Sequence, residues 1–384
     1  MRTALVLVLV LGLAACDSLR TFEAPDSGPP DVGIDVGMDA PTLPPVVWEQ
    51  RSPAASPDAR SGLQLIYDPG VEQAVLYGGS DADGLLGDTW LWDGTTWIEV
   101  TPSVSPAPRT GHSMACDVDC DAILLFGGLI LLDDDLTPAV IETEFANDTW
   151  ELTAAGGAWQ WEALDAGETC GVVYAYPPWA CTAIDVDITR PQCRHSASMA
   201  FHQRRGRLLL FGGATIPDDR FCSLKSVWEW NGAWVLATPD DSVGPPERRN
   251  GPMAYHAGSD ELIMFGGSQT NYDALGDAWA LDLGLEDEWQ RNADGPSARV
   301  GAGMAYDANR DRLILFGGHT GSGGEFKSDT WEWDGESWSE LPIEGPPARS
   351  GHGMAYDAAR QQVVLFGGSG DAGPLGDTWV LRTP

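Results

Sequence analysis

Positive charge is scarce in this 384-residue chain. It carries 22 Lys and Arg against 57 Asp and Glu, a formal net charge of −35. A surface of that sign repels phosphate backbones and anionic membranes, so nucleic acid is excluded as a partner. Long apolar runs are also lacking. Only Ala4–Gly12 is continuously apolar, which is too short to span a bilayer as a helix. No HxH or HExxH spacing, paired CxxC ribbon, GxSxG elbow or EF-hand loop occurs, so neither a metal nor another cofactor is expected. No nucleophile or acid–base set stands apart from the rest of the chain, and no catalytic residue is assigned.

What is present begins with a processing signal. Arg2 precedes the apolar run, and Leu13-Ala14-Ala15-Cys16 follows it. The pattern resembles the lipobox of bacterial lipoproteins, with 1–15 removed and Cys16 lipidated. The resemblance implies a cell-envelope protein, anchored in a membrane by its lipid alone and facing the periplasm or the cell surface. Residues 16–45 are dense in Pro, Gly and Asp, including Pro25-Asp26-Ser27-Gly28-Pro29-Pro30-Asp31. Such a stretch buries too little apolar surface to offset its chain entropy, which predicts a disordered tether.

Residues 46–384 repeat. An aromatic residue followed by two glycines recurs at Tyr77-Gly78-Gly79, Phe126-Gly127-Gly128, Phe211-Gly212-Gly213, Phe265-Gly266-Gly267, Phe316-Gly317-Gly318 and Phe366-Gly367-Gly368. The period is about 50 residues, with one longer gap after Gly128. Within each unit, short Val-, Leu-, Phe- and Trp-rich runs separated by turns such as Asp93-Gly94 and Asp334-Gly335 predict four antiparallel strands, A to D. Matching tryptophans fall in strand C (Trp90, Trp150, Trp228, Trp279, Trp331, Trp379) and strand D (Trp97, Trp159 or Trp161, Trp234, Trp289, Trp338). Large aromatics at equivalent places suit packing between units, so most of the 17 tryptophans are read as core. The sixth unit ends after strand C. Val46-Val47-Trp48-Glu49-Gln50 matches Trp97-Ile98-Glu99-Val100 and supplies the missing strand D from the front of the chain.

On these motifs the chain resembles kelch-repeat proteins. The resemblance implies an all-β fold, a monomeric six-bladed propeller whose last blade is closed by the N-terminal strand. It says little about activity, because kelch propellers include binding modules, galactose-oxidase-like enzymes and a sialic-acid epimerase. A non-catalytic module recognising a protein or a glycan is the leading expectation. The alternative is an exported carbohydrate-active enzyme, epimerase- or lyase-like, acting near the channel.

Strand alternation puts the D–A and B–C connections on one face. Both long insertions fall there, Leu129–Asn147 in blade 2 and Asp165–Cys193 leading into blade 3. That face of blades 2–3 is the expected binding surface. Tyr174, Tyr176 and Trp179, held by Pro177, Pro178 and flanking cysteines, suit stacking on a sugar or gripping a peptide. The six cysteines after Cys16 read as disulfides in an exported chain. Of fifteen possible connectivities, Cys116–Cys120, Cys170–Cys181 and Cys193–Cys222 are favoured. An arginine opens strand A in every blade: Arg60, Arg109, Arg194, Arg248, Arg299 and Arg349. Five aspartates open strand C, at 88, 148, 277, 329 and 377, with Ser226 in the sixth place. The arginines are read either as structural partners of those aspartates or as an anion-binding ring, with Arg194 left unpaired. His112 and His352 stand three residues after their arginines.

Overall fold

The computed structural model describes residues 45–116, 119–131, 143–155, 158–167, 169–170, 189–215, 222–238, 244–270, 272–282, 288–292 and 295–384. Cys16, Tyr174, Tyr176, Trp179 and Cys181 lie outside them. The described residues form six antiparallel blade sheets of a β-propeller, five of them four-stranded and that of blade 2 six-stranded through short additional strands.

In order A, B, C, D, blade 1 is Gln64–Asp68, Gln73–Tyr77, Thr89–Trp92 and Trp97–Val100. Blade 2 is Ser113–Cys116, Ile123–Leu131, Thr143–Ala155 and Ala158–Asp165. Blade 3 is Ser198–His202, Arg207–Phe211, Val227–Trp230 and Trp234–Thr238. Blade 4 is Met253–His256, Glu261–Phe265, Ala278–Asp282 and Glu288–Arg291. Blade 5 is Gly303–Asp307, Arg312–Phe316, Thr330–Trp333 and Trp338–Leu341. Blade 6 is Gly353–Asp357, Gln362–Phe366, Thr378–Arg382 and Val47–Arg51. The first strand of the chain therefore pairs with the last, in the register Val47↔Arg382 to Arg51↔Thr378. An open ring would expose the strand edges this pairing covers.

Each blade junction is built from the same parts. The strand-B aromatic packs against the strand-D tryptophan of the following blade, at centroid distances of 5.0–5.5 Å in all six junctions. In blade 2 that tryptophan is Trp161. In four junctions the indole N–H also donates to a strand-C threonine of the preceding blade, over 2.9–3.2 Å: Trp97 to Thr378, Trp161 to Thr89, Trp234 to Thr149 and Trp48 to Thr330.

The double glycines lie at the same seams. A Cβ on the first glycine of each pair would stand 2.5–2.7 Å from the carbonyl oxygen of the next blade's arginine. The second glycine donates its N–H to that oxygen over 2.8–2.9 Å. Both glycines have positive φ. The motif is thus a steric requirement of blade-to-blade contact.

Strand A of each blade lies beside strand A of the next, around a central channel. Where the chain enters strand A, six residues with φ between +54° and +67° form a closed circle: Gly62, Gly111, Ser196, Asn250, Gly301 and Gly351. Each donates its backbone N–H to the carbonyl of the equivalent residue in the preceding blade, over 2.5–3.0 Å, and Gly62 donates to Gly351. This unbroken ring of six hydrogen bonds ties all six blades together at the axis.

Candidate binding face

The arginine row belongs to the scaffold. All six side chains are 0–1 % exposed. In five blades the guanidinium makes a two-pronged pair with the strand-C aspartate at 2.5–2.8 Å: Arg60–Asp88, Arg109–Asp148, Arg248–Asp277, Arg299–Asp329 and Arg349–Asp377. Nη1 also donates to the first glycine's carbonyl, and Nε to the carbonyl two residues upstream. The strand-C tryptophan donates its indole N–H to the same aspartate at 2.6–2.7 Å. Burial pushes the Asp88, Asp277, Asp329 and Asp377 carboxyls upward, but the arginine and tryptophan hydrogen bonds and the arginine charge outweigh it and hold them below the usual range.

In blade 3, Arg194 is not unpaired. Its Nη1 donates to Ser226 Oγ at 3.2 Å and to the Gly212 carbonyl at 3.0 Å. The anion-binding expectation for Arg60, Arg109, Arg194, Arg248, Arg299 and Arg349 is therefore corrected. Their charges are turned into the blades and held there, away from any surface a ligand reaches.

The insertion expected as a B–C loop in blade 2 is, where described, an extension of the sheet. Strand B continues to Leu131 and strand C begins at Thr143, with Gly128↔Ala146 and Leu129↔Phe145 in register. Thr169 and Cys170, from the second insertion, pair with Ala146 and Phe145 on the other side. The two insertions thus meet, as their neighbouring positions predicted, and form a raised three-stranded wall. The Phe145 ring stacks on His195 of blade 3 at 4.7 Å.

Beyond His195 lies a cavity of about 340 Å³ that crosses blades 3, 4 and 5. Its walls include His195, Arg249, Asn250, Ser268, Tyr272 and His319. At His195, Arg249 and His319 the repeat breaks. The residue after the opening arginine is Ser61, Thr110, Val300 or Ser350 elsewhere, but His195 in blade 3 and Arg249 in blade 4. His319 follows the glycine pair of blade 5, where Ser80, Leu129, Ala214, Ser268 and Ser369 stand in the others. Arg249 is buried, with its guanidinium carbon 4.4 Å from the centre of the Tyr272 ring. Tyr272 is 46 % exposed and has φ +65°. The other described non-glycine residues with positive φ belong to repeated features, either the A–B turns or the axial ring. A bulky residue held in this conformation outside any repeated turn costs on the order of 1–3 kcal/mol. Burial and then the Arg249 charge lower the His195 imidazole to about 3, so it is neutral.

Sequence reasoning missed Arg249 and Tyr272. The signal for the first was the doubled arginine Arg248-Arg249 at the entry to strand A, a place where no other repeat has two. Cys116 and Cys120 form a disulfide across the A–B turn of blade 2. Cys193 and Cys222 are also disulfide-bonded. No known protein-family model matches the chain.

Proposed function

We propose that the protein is an exported, lipid-anchored propeller of kelch type that binds a glycan or a protein through its loop-bearing face without catalysis. The observation that carries this reading is Tyr272, an exposed aromatic held in a left-handed backbone with Arg249 against its ring, at the edge of a mainly apolar cavity with several polar side chains in its lining. An aromatic platform beside hydroxyl, amide and imidazole groups (Ser268, Asn250, His319) suits a sugar ring, which offers an apolar face and a rim of hydroxyls. The wall that carries Phe145 extends the same face towards blade 2. The repeated glycines, arginines and tryptophans support the kelch assignment, and Leu13-Ala14-Ala15-Cys16 supports lipidation at Cys16.

The test is a glycan array and a protein capture screen run with the wild type and Tyr272→Ala. Specific binding that Tyr272→Ala abolishes, at unchanged melting temperature, supports the module. Ligand turnover, or binding indifferent to Tyr272, overturns it in favour of an enzyme or a different face. Labelling cells with a radioactive fatty acid tests the anchor. Label should be incorporated by the wild type and be absent from Cys16→Ala.

A further inference from the structure

The central channel holds chemistry that neither the scaffold nor the loop face uses. Its cavity, about 160 Å³, is lined by the first residues of strand A from all six blades. One strand position carries Leu65 in blade 1 but Met114, Met199, Met253, Met304 and Met354 in the other five. Four of these methionines, at 199, 253, 304 and 354, line the cavity. In two blades a histidine precedes the methionine by two residues, as His112-Ser113-Met114 and His352-Gly353-Met354. Residues two apart on a strand share a face, so each histidine and its methionine point the same way.

The two pairs differ in what covers them. Residue 64 of blade 1 and residue 303 of blade 5 occupy equivalent positions, facing the pair of the following blade. Blade 1 has Gln64 there, and blade 5 has Gly303. His352 Nε2 and Met354 Sδ both lie 2.6 Å from the point where a Cβ on Gly303 would sit. The missing side chain leaves the nitrogen and the sulfur side by side at the cavity wall. His352 is 6 % exposed, and neither of its ring nitrogens has a hydrogen-bond partner among the described residues.

A buried imidazole with both nitrogens unpaired is costly and calls for a reason. Packing alone does not supply one, because Leu63 and Leu65 fill the same two positions in blade 1. An imidazole next to a thioether, with no carboxylate among the described cavity-lining residues, is a donor set for a soft monovalent cation rather than for calcium, magnesium or zinc.

We infer that His352 Nε2 and Met354 Sδ form a site for a soft monovalent metal ion of the Cu(I) type inside the propeller channel. The methionines at 199, 253 and 304 supply further thioethers in the same cavity. The site does not depend on the loop-face ligand, and the two readings stand or fall separately.

The experiment titrates full-length protein in detergent with Cu(I) under anaerobic conditions against a chromophoric Cu(I) chelator, and with Ag(I) as the redox-inert counterpart. One equivalent per chain is expected, with nitrogen and sulfur scatterers in the copper X-ray absorption spectrum. His352→Leu and Met354→Leu should each weaken binding by more than about tenfold, whereas Met114→Leu should leave it unchanged. Leu63 and Leu65 already occupy these positions in blade 1, so both variants should fold, which a thermal melt checks. Should either fail to fold, Gly303→Ala gives the same readout, because its methyl would displace both donors. Absence of stoichiometric uptake, or uptake that survives a folded His352→Leu or Met354→Leu, overturns the site.

Discussion

Trp338 Nε1 is buried without a hydrogen-bond partner among the described residues because Ala278 stands where four other junctions place a threonine hydroxyl. Its counterparts Trp97, Trp161, Trp234 and Trp48 each donate to such a hydroxyl. The blade 4–5 junction therefore keeps the aromatic packing, with Phe265 and Trp338 at 5.5 Å, but lacks the polar tie. Ala278→Thr should restore it. The expected gain is about 1 kcal/mol, the usual net value of one buried hydrogen bond, read as a higher denaturant midpoint at unchanged slope. An unchanged or lower midpoint would show that the added methyl overfills the seam.

Breaking one scaffold pair should cost far more. Asp377→Ala leaves the Arg349 guanidinium buried with only carbonyl partners and removes the acceptor for the Trp379 indole. Losing one member of a buried ion pair typically costs about 3–5 kcal/mol. The same aspartates give a pH dependence. Their carboxyls sit below the usual range when folded, so their contribution is complete above about pH 4 and is lost as pH falls through the folded values. A variant as stable as the wild type in urea would refute the scaffold role.

The parts of the fold legible in the sequence are those fixed by local backbone demands that recur. Gly78-Gly79 and its five counterparts are obligatory because a neighbouring carbonyl lies within a Cβ's reach. The closing strand was legible because Trp48 repeats the pattern of Trp97. The site was less legible, because the sequence shows which residues recur but not which way they point. The arginines are as regular as a ligand-binding ring would be, yet the structure turns them inward. Arg249, at the entry to strand A of blade 4, meets Tyr272 in the B–C connection of the same blade. His352 and Met354 gain their opening from Gly303, a residue of the adjacent blade about 50 positions upstream. Neither juxtaposition has a spacing that a motif search recognises.

Acid should loosen the propeller through its buried histidines. His112, His195 and His352 each have a pKa lowered to about 3, by burial first and then by Arg109, Arg249 and Arg349 respectively. The unfolded chain binds protons on these rings below about pH 6.5, and the folded chain does not until about pH 3. Stability is therefore unaffected by them above pH 6.5 and declines as pH falls from there towards 3. The cost is about 1.4 kcal/mol per ring per pH unit. His112→Leu, which copies Leu63, removes one ring and should lessen the loss between pH 7 and pH 5 in denaturant titrations. An identical loss in wild type and variant would mean that His112 is protonated in the fold.

Closure by the first strand makes the strongest demand on the whole ring. Val47–Arg51 completes blade 6, while Trp48 packs on Phe316 and donates to Thr330 in blade 5. Removing residues up to Arg51 would uncover the Thr378–Arg382 edge and empty the blade 5–6 seam at once. An unpaired edge recruits another strand, so the truncated chain should self-associate or unfold. Trp48→Ala keeps the backbone pairing and removes only the seam contact. It should cost about 3–5 kcal/mol, the range for a large aromatic cut back to alanine in a core, while the chain stays a monomer. Size-exclusion chromatography with light scattering separates the two cases, since edge exposure changes mass and seam loss changes only stability. A truncated chain that remains monomeric with an unaltered melting temperature would mean that the axial ring from Gly62 to Gly351 holds the propeller shut without the strand.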